Sequence, residues 1–224
     1  MRTFILRHDD PISYNYAKTA ADSCDALGIQ WEYFEGFSNI TAYDAYKQIN
    51  LFPLQGSSGS NIHSSKNKAS LCTASHVAIW KKIVDENIDQ AIILEHDAII
   101  LDNINFEIPD NTIIALGYKI NDPNRYTKPN ISRVLTPISG IQGSHAYALT
   151  NQTAAKLLDG IKRRGTAGCI DMHVMQSNKF RNGVNMMIVD PIVALGWVRE
   201  STIWNKAVVT SNNNLLNSFR NNLK

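Results

Sequence analysis

Residues 91–97 read Ala-Ile-Ile-Leu-Glu-His-Asp, a short apolar run that ends in a charged triplet. Four apolar residues bounded by charge predict a short buried strand. Side chains alternate between the two faces of a strand, so Glu95 and Asp97 are expected to point one way and His96 the other. Ligands of open α/β sheets gather outside the carboxyl ends of the strands. Two carboxylates there suit Mg2+ or Mn2+, although the triplet also fits a solvated loop or the start of a helix.

The composition is that of an ordinary globular protein. The 224 residues suit one domain, predicted to span 1–224, and 44% apolar with 19% charged residues argues against disorder. A net charge of +2 does not predict a nucleic-acid surface. Three cysteines do not form a disulfide framework, and the N-terminal apolar run is too short for a signal peptide. Since no stretch of eighteen apolar residues occurs, we expect a cytoplasmic protein without a transmembrane segment.

The order of the predicted elements indicates an α/β fold. Two strands flank a helix at the N-terminus, and this βαβ opening predicts a parallel sheet. Ser70 is the predicted N-cap of the helix before the acidic strand, and Thr150 that of a later helix. The predicted elements are strands at 4–6, 29–34, 91–94, 112–116, 146–149 and 186–189, and helices at 13–27, 70–86 and 150–162.

Three segments have no clear place in the predicted sheet. Residues 53–68 contain glycines, a proline and five serines and form a candidate lid, and 117–139 have the composition of a loop. The tail, 205–224, carries leucines and a phenylalanine at helical spacing. It is predicted to pack back on the domain as a helix, with contact to a membrane surface as the alternative.

Several reactive side chains flank these elements. Cys72 and His76 lie four residues apart, on one face of a helix, which allows a nucleophilic pair or a buried cysteine beside a hydrogen-bonded histidine. Lys68, just before that helix, marks a candidate anion site. His145 follows a glycine at the entrance to a strand. Asp171 fits a helix N-cap, a general base, or both.

Several of these segments, in order, resemble glycosyltransferase family 25. Residues 72–80 are similar to the family's Cys-x-x-Ser-His-x-x-x-Trp helix, and residues 91–98 to its Glu-Asp-Asp-Ala strand end. Residues 143–149 resemble its Gly-x-x-Ala-Tyr strand. Further matches are Ile170-Asp171, Pro191 and residues 201–203, so that the resemblance covers residues 1–204.

The resemblance implies a GT-A fold, in which helices flank a Rossmann-like, mostly parallel central sheet. It also implies inverting transfer of a galactose-type hexose from a nucleotide-sugar, usually a UDP-sugar, to a hydroxyl of a glycan or protein acceptor, as in lipooligosaccharide biosynthesis. Glu95 and Asp97 would hold Mn2+ or Mg2+, and Asp171 would be the catalytic base. The expected donor-binding residues are Arg7, Asp9, Lys68, His76, Glu95 and His145.

His96 stands where the family has an aspartate, which removes one negative charge from the triplet. Two alternatives to a metal-assisted transferase stay open. One is a non-catalytic nucleotide-sugar-binding protein whose metal site has decayed. The other is a hydrolase that uses Cys72 and His76.

Overall fold

The computed structural model of the protein describes residues 1–51, 68–119, 132–165 and 168–196. The strands are β1 (Arg2–Arg7), β2 (Trp31–Glu35), β3 (Gln90–Glu95), β4 (Ala98–Ile100), β5 (Thr112–Ala115), β6 (Gly117–Lys119), β7 (Val134–Pro137), β8 (Ala146–Thr150), β9 (Asn185–Asp190) and β10 (Ala194–Gly196). The helices are α1 (Pro11–Ala26), α2 (Ala42–Gln48), α3 (Lys68–Asp85), α4 (Asn151–Arg164) and a π-helical turn (Asp171–Met175).

The described strands form two sheets. The larger has seven strands in the order β2-β1-β3-β8-β5-β9-β7, and the smaller has the order β4-β10-β6. In the larger sheet β1 pairs in parallel with β2 and β3, and β5 with β9, whereas β8 and β7 run against their neighbours. Five of the seven strands therefore share one direction. The predicted α/β fold with a mostly parallel sheet is confirmed.

Both faces of the large sheet are buried at its inner strands β1, β3, β5 and β8. Along β1, Phe4 and Leu6 pack into the core beneath α2, α3 and α4, while Ile5 packs into the core beneath α1. The same alternation separates Ile93 from Leu94 in β3. A strand covered on both sides is apolar throughout, which explains the unbroken apolar runs in the sequence.

Three local predictions differ from the structure. Helix α1 begins at Pro11, earlier than expected, because the Asp10 carboxylate accepts a hydrogen bond from the Ile12 N–H (2.8 Å) and caps it. Helix α3 already begins at Lys68, so Ser70 is not its N-cap, and its hydroxyl donates to the carbonyl of Gly168 (3.2 Å). The segment 117–139, expected to be a loop, contains β6 and β7.

Of the remaining predictions, the Thr150 cap is confirmed and several others concern residues outside the described part of the chain. Thr150 caps α4 by accepting from the Thr153 N–H (3.3 Å), as expected. The candidate lid, apart from Lys68, the tail 205–224 and the motif match at 201–203 lie outside the described residues. The single-domain assignment stays a prediction. In the part of the chain that the structure describes, no helix is long and apolar enough to cross a membrane.

Candidate functional site

The site lies at the C-terminal ends of the parallel strands of the large sheet, beside the N-terminal end of the antiparallel strand β8. Glu95 ends β3, and its N–H donates to the carbonyl of His145 (2.7 Å). Strand β8 runs antiparallel to β3, with Ala146 opposite Leu94. The residues just before β8, Ser144 and His145, are therefore held beside the acidic end of β3.

Glu95 and Asp97 face the same side chain. Nδ1 of His145 lies 3.2 Å from Oδ1 of Asp97 and 3.6 Å from Oε2 of Glu95. The three side chains are between 11% and 15% exposed, so a solute could reach them at a half-closed surface. The predicted common orientation of the two carboxylates is thus observed.

His96 points away from this cluster. Its ring stacks parallel to that of Tyr16, with centroids 6.1 Å apart, and meets the ring of His8 edge-on at 6.4 Å. Burial and the neighbouring His96 lower the pKa of His8 to about 4. The middle residue of the triplet therefore belongs to an aromatic cluster on the opposite side of the strand end.

Ser144 joins Glu95 to Asp171. Its hydroxyl lies 2.8 Å from Oδ1 of Asp171 and is also hydrogen-bonded to Oε1 of Glu95. Asp171 is the first residue of the π-helical turn and makes no capping bond, so the N-cap interpretation is wrong. Burial, and then the negative charge of Glu95, raise the pKa of the Asp171 carboxyl above its ordinary value. A carboxylate with a raised pKa is a stronger proton acceptor.

A buried chain of hydrogen bonds reaches Glu95 from the core. The Trp80 indole N–H donates to the Tyr147 oxygen (3.0 Å), and that hydroxyl lies 2.8 Å from Nδ1 of His76. Because an indole can only donate, the Tyr147 proton is left for His76 Nδ1. That nitrogen accepts, so the ring proton sits on Nε2, which donates to Oε1 of Glu95 (3.1 Å). Both ring nitrogens of His76 are taken by protein groups, and His76 acts by orienting Glu95.

The charges of the cluster are mutually stabilised. Burial opposes ionisation of Glu95, but the hydrogen bond from His76 and the charge of His145 outweigh it and hold the pKa of Glu95 well below its usual range. Burial likewise opposes the charged form of His145, but Asp97 and Glu95 raise the pKa of His145 to about 9. At neutral pH an imidazolium therefore lies between two carboxylates.

The Cys72 thiol lies beside the same chain. Its sulfur, a His76 nitrogen and a Glu95 oxygen all lie within 4.8 Å of one another, as expected for residues on one helix face. Burial, and then the charges of Glu95 and Asp171, raise the pKa of Cys72 well above its usual value. Both ring nitrogens of His76 are already bonded to Tyr147 and Glu95, so no base is free to take the proton of this buried thiol, and the geometry does not favour the hydrolase interpretation.

Arg7 lies at the same end of the parallel strands as the cluster, on the neighbouring strand β1. Strand β1 pairs with β3 so that Leu6 lies opposite Glu95, and Arg7 follows at the strand's end. Its Nε donates to Glu35 (2.6 Å), and its guanidinium carbon lies 3.7 Å from the centre of the Tyr33 ring. A stacked, ion-paired arginine at this end of the strands presents a fixed positive charge beside the candidate site.

The other expected donor-binding residues lie nearer the surface. Asp9 is exposed and accepts from the Tyr14 hydroxyl at 3.4 Å, and Lys68 is exposed at the start of α3. Sequence reasoning assigned no role to Ser144 or Tyr147. Both residues stand in the segment 143–149, but only tertiary contact with Glu95 and His76 marks them.

The donor set fits a divalent cation. One oxygen each from Glu95 and Asp97 and one nitrogen of His145 lie within 4.8 Å of one another. Carboxylates suit Mg2+, Mn2+ and Ca2+, whereas an imidazole suits transition metals, so the mixed set fits Mn2+ better than Mg2+. His145 would have to lose a proton before its nitrogen could bind.

Comparison with known proteins points to carbohydrate enzymes. A family model described as "Glycosyltransferase family 25 (LPS biosynthesis protein)" matches residues 17–172, well over half of the chain. A search of curated proteins found no significant match.

Solved structures of glycosyltransferases are among those that match this chain. The apo form of GlyE from Streptococcus pneumoniae TIGR4 has a TM-score of 0.48 at 10% identity, over 98% of this chain and 60% of that one. A glycosyltransferase involved in glycosylation of the major capsid of PBCV-1 has a TM-score of 0.42 at 8% identity, covering 89% and 94%. The galactosyltransferase LgtC, in complex with donor and acceptor sugar analogues, has a TM-score of 0.40 at 13% identity, covering 91% and 92%. The chain thus spans about 60% of the length of the pneumococcal protein.

Proposed function

We propose that this chain, which belongs to glycosyltransferase family 25, transfers a hexose from a nucleotide-sugar to a hydroxyl of a glycan or protein. The transfer is proposed to invert the configuration at the anomeric carbon of the hexose. A galactose-type sugar on UDP is the proposed donor. The observation that carries the proposal is the cluster of Glu95, Asp97, Ser144, His145 and Asp171 at the carboxyl ends of the parallel strands, where ligands of α/β sheets bind.

Glu95 and Asp97, with His145 as a third donor, are the residues that would hold a divalent cation. Such a cation, when bound, neutralises the negative charge that develops on the leaving diphosphate. The chain's own part is to fix the two carboxylates. Hydrogen bonds from His76 and Ser144 orient Glu95, which keeps it ionised in a half-buried position. Arg7, Asp9 and Lys68 are proposed to line the donor pocket.

Asp171 is the proposed general base. In an inverting displacement the bond from the anomeric carbon to the diphosphate oxygen breaks, and its electron pair leaves with the diphosphate. The acceptor oxygen bonds to the same carbon, and its proton passes to the Asp171 carboxylate. Two features support this role. The side chain lies 2.8 Å from the Ser144 hydroxyl, whose single proton is shared with Glu95, and its pKa is raised above that of an ordinary aspartate.

Calorimetric titration tests the donor half of the proposal. UDP-galactose and competing nucleotide-sugars are titrated with and without Mn2+ into wild type, Asp97→Ala and the control Asp85→Ala. Asp85 is an exposed carboxylate that pairs with Lys81. We expect Mn2+-dependent binding in wild type and the control, and its loss in Asp97→Ala. Donor affinity that changes neither on removal of Mn2+ nor in Asp97→Ala would overturn the proposal of a metal-assisted site.

A second variant tests the base. Asp171→Asn should abolish transfer while leaving donor affinity within about twofold, since the base acts on the acceptor in the transition state. Full activity in this variant, or equal loss of binding and transfer, would remove Asp171 from the role.

The same titration tests the non-catalytic alternative. What favours this alternative is the position of His145, whose ring nitrogen already lies between the two carboxylates. A protein of that kind would bind the nucleotide-sugar equally well without Mn2+. It would also show no transfer with any acceptor.

A further inference from the structure

A cavity of about 650 Å3 lies at the end of the large sheet where its parallel strands begin. It is lined by Asn185, Met186 and Met187 at the start of β9 and by Pro137 at the end of β7. Strand β9 runs in the same direction as β3, so the first residues of β9 lie at the opposite end of the strands from Glu95, which is the last residue of β3. The cavity is therefore separate from the proposed donor site, and its volume is in the range of small-molecule sites.

Arg181 supplies a buried positive charge to this cavity. The residue is 5% exposed and lines the cavity, and one terminal nitrogen donates to the carbonyl of Ser139 (2.6 Å). Its Nε is buried and has no hydrogen-bond partner, and Arg181 forms no ion pair with any carboxylate, among the residues that the structure describes. Burial lowers the pKa of Arg181, but a guanidinium stays protonated at neutral pH.

An unpaired buried cation is costly. The penalty for burying one ion is several kcal/mol unless a counter-charge and hydrogen bonds compensate it. The lining of the cavity adds a second cation, Arg164 at the end of α4, and the described residues of that lining include no aspartate or glutamate. The counter-charge that Arg181 requires is thus not supplied by the cavity's own side chains.

The remaining lining indicates what kind of molecule would bring that charge. Ile138, Val184 and Met186 give the cavity an apolar part, and the amides of Asn178 and Asn185 a polar one. We propose that this cavity binds a small organic anion, with a phosphate or carboxylate group against Arg181 and an apolar body against the methionines. A planar guanidinium that lines the cavity and has no carboxylate partner among the described residues is well suited to such oxyanions.

The test uses phenyl phosphate, benzoate and neutral benzyl alcohol as probes, titrated in NMR experiments without metal or nucleotide-sugar. The protein variants are Arg181→Met and the control Arg163→Met, a neighbouring exposed arginine that pairs with Asp159 and does not line the cavity. We expect saturable binding of at least one anionic probe, at least tenfold weaker in Arg181→Met and unchanged in the control. The stronger of phenyl phosphate and benzoate identifies the preferred anionic group.

The outcomes separate this site from the proposed transferase function. Asp97→Ala should leave probe binding intact, because Asp97 lies at the opposite end of the strands. Arg181→Met is expected to fold, since it removes an unpaired buried charge. Should it not fold, Arg181→Lys, which keeps the charge but loses the planar fork, must still weaken binding. Equal binding of the neutral probe, no saturable binding of any probe, or an undiminished affinity in the Arg181 variant would overturn the proposal.

Discussion

Replacing Tyr147 with phenylalanine removes one oxygen that serves two buried partners. The hydroxyl accepts from Trp80 at 3.0 Å and bonds to His76 at 2.8 Å, and all three residues are at most 1% exposed. Water does not replace either bond at such burial. Each polar atom left without a partner costs about 1–3 kcal/mol. We therefore expect the free energy of unfolding to fall by about 2–4 kcal/mol, allowing for partial relaxation around the ring.

Urea denaturation followed by tryptophan fluorescence measures this loss. The matched control is Tyr46→Phe. Tyr46 is equally buried, but its hydroxyl has no hydrogen-bond partner among the described residues, so its removal should leave stability unchanged or slightly higher. Equal denaturation midpoints for the two variants would refute the hydrogen-bond chain. Losing the group that orients His76 should also weaken Mn2+-dependent donor binding by roughly 10–100-fold, as substitutions of outer-shell partners do.

Two further predictions concern the histidines around the site. A Cβ on Gly196 would lie 2.4 Å from the ring of His145, so Gly196→Ala should displace that ring and weaken Mn2+-dependent binding of the donor. The control is Gly168→Ala, which should be neutral in the same titration because a Cβ at Gly168 meets nothing within 4 Å. Burial lowers the pKa of His8 from 6.5 to about 4, so between these pH values His8 takes up a proton when the protein unfolds. The free energy of unfolding therefore declines by about 3 kcal/mol as the pH falls from above 6.5 to 4. His8→Gln should remove this part of the acid-side decline, which urea midpoints at pH 7 and pH 4.5 would detect. A variant whose midpoint falls as steeply as that of wild type would contradict the assignment.

The parts of the fold that local pattern decides were predictable from the sequence. The apolar runs of β1 and β3, the βαβ opening and the Thr150 cap of α4 follow from neighbouring residues alone. The direction of β8 does not, because it depends on pairing with β3 and β5 and not on its own residues. Strand β7 was hidden for a related reason. Its residues are mostly exposed at the edge of the sheet, so they lack an apolar pattern.

The candidate site divides in the same way. Strand alternation alone predicts that Glu95 and Asp97 share a side. The bridge from Ser144 to Glu95 spans 49 residues, and the bond from Tyr147 to His76 spans 71. Contacts at such separations follow from the order of strands in the sheet, which no local spacing encodes. The sequence therefore predicts which residues carry the carboxylates but not which residues orient them.

The position of His96 decides what its substitution for the family's aspartate means. Its ring stacks on Tyr16, on the other side of the strand end from Asp97, so the exchange removes a charge but no candidate ligand. Restoring the charge by His96→Asp would add an attraction through space but no ligand atom, and because His96 is buried that attraction is stronger than it would be in bulk water. The test of direct contact is therefore the neutral variant His96→Phe, which keeps a ring against Tyr16 and offers no ligand atom, and we expect it to bind Mn2+ as wild type does in calorimetry beside Asp97→Ala. A loss of Mn2+ affinity in His96→Phe as large as that in Asp97→Ala would mean that the middle residue of the triplet contacts the cation directly, and that the side chains do not alternate at this strand end as the structure has them.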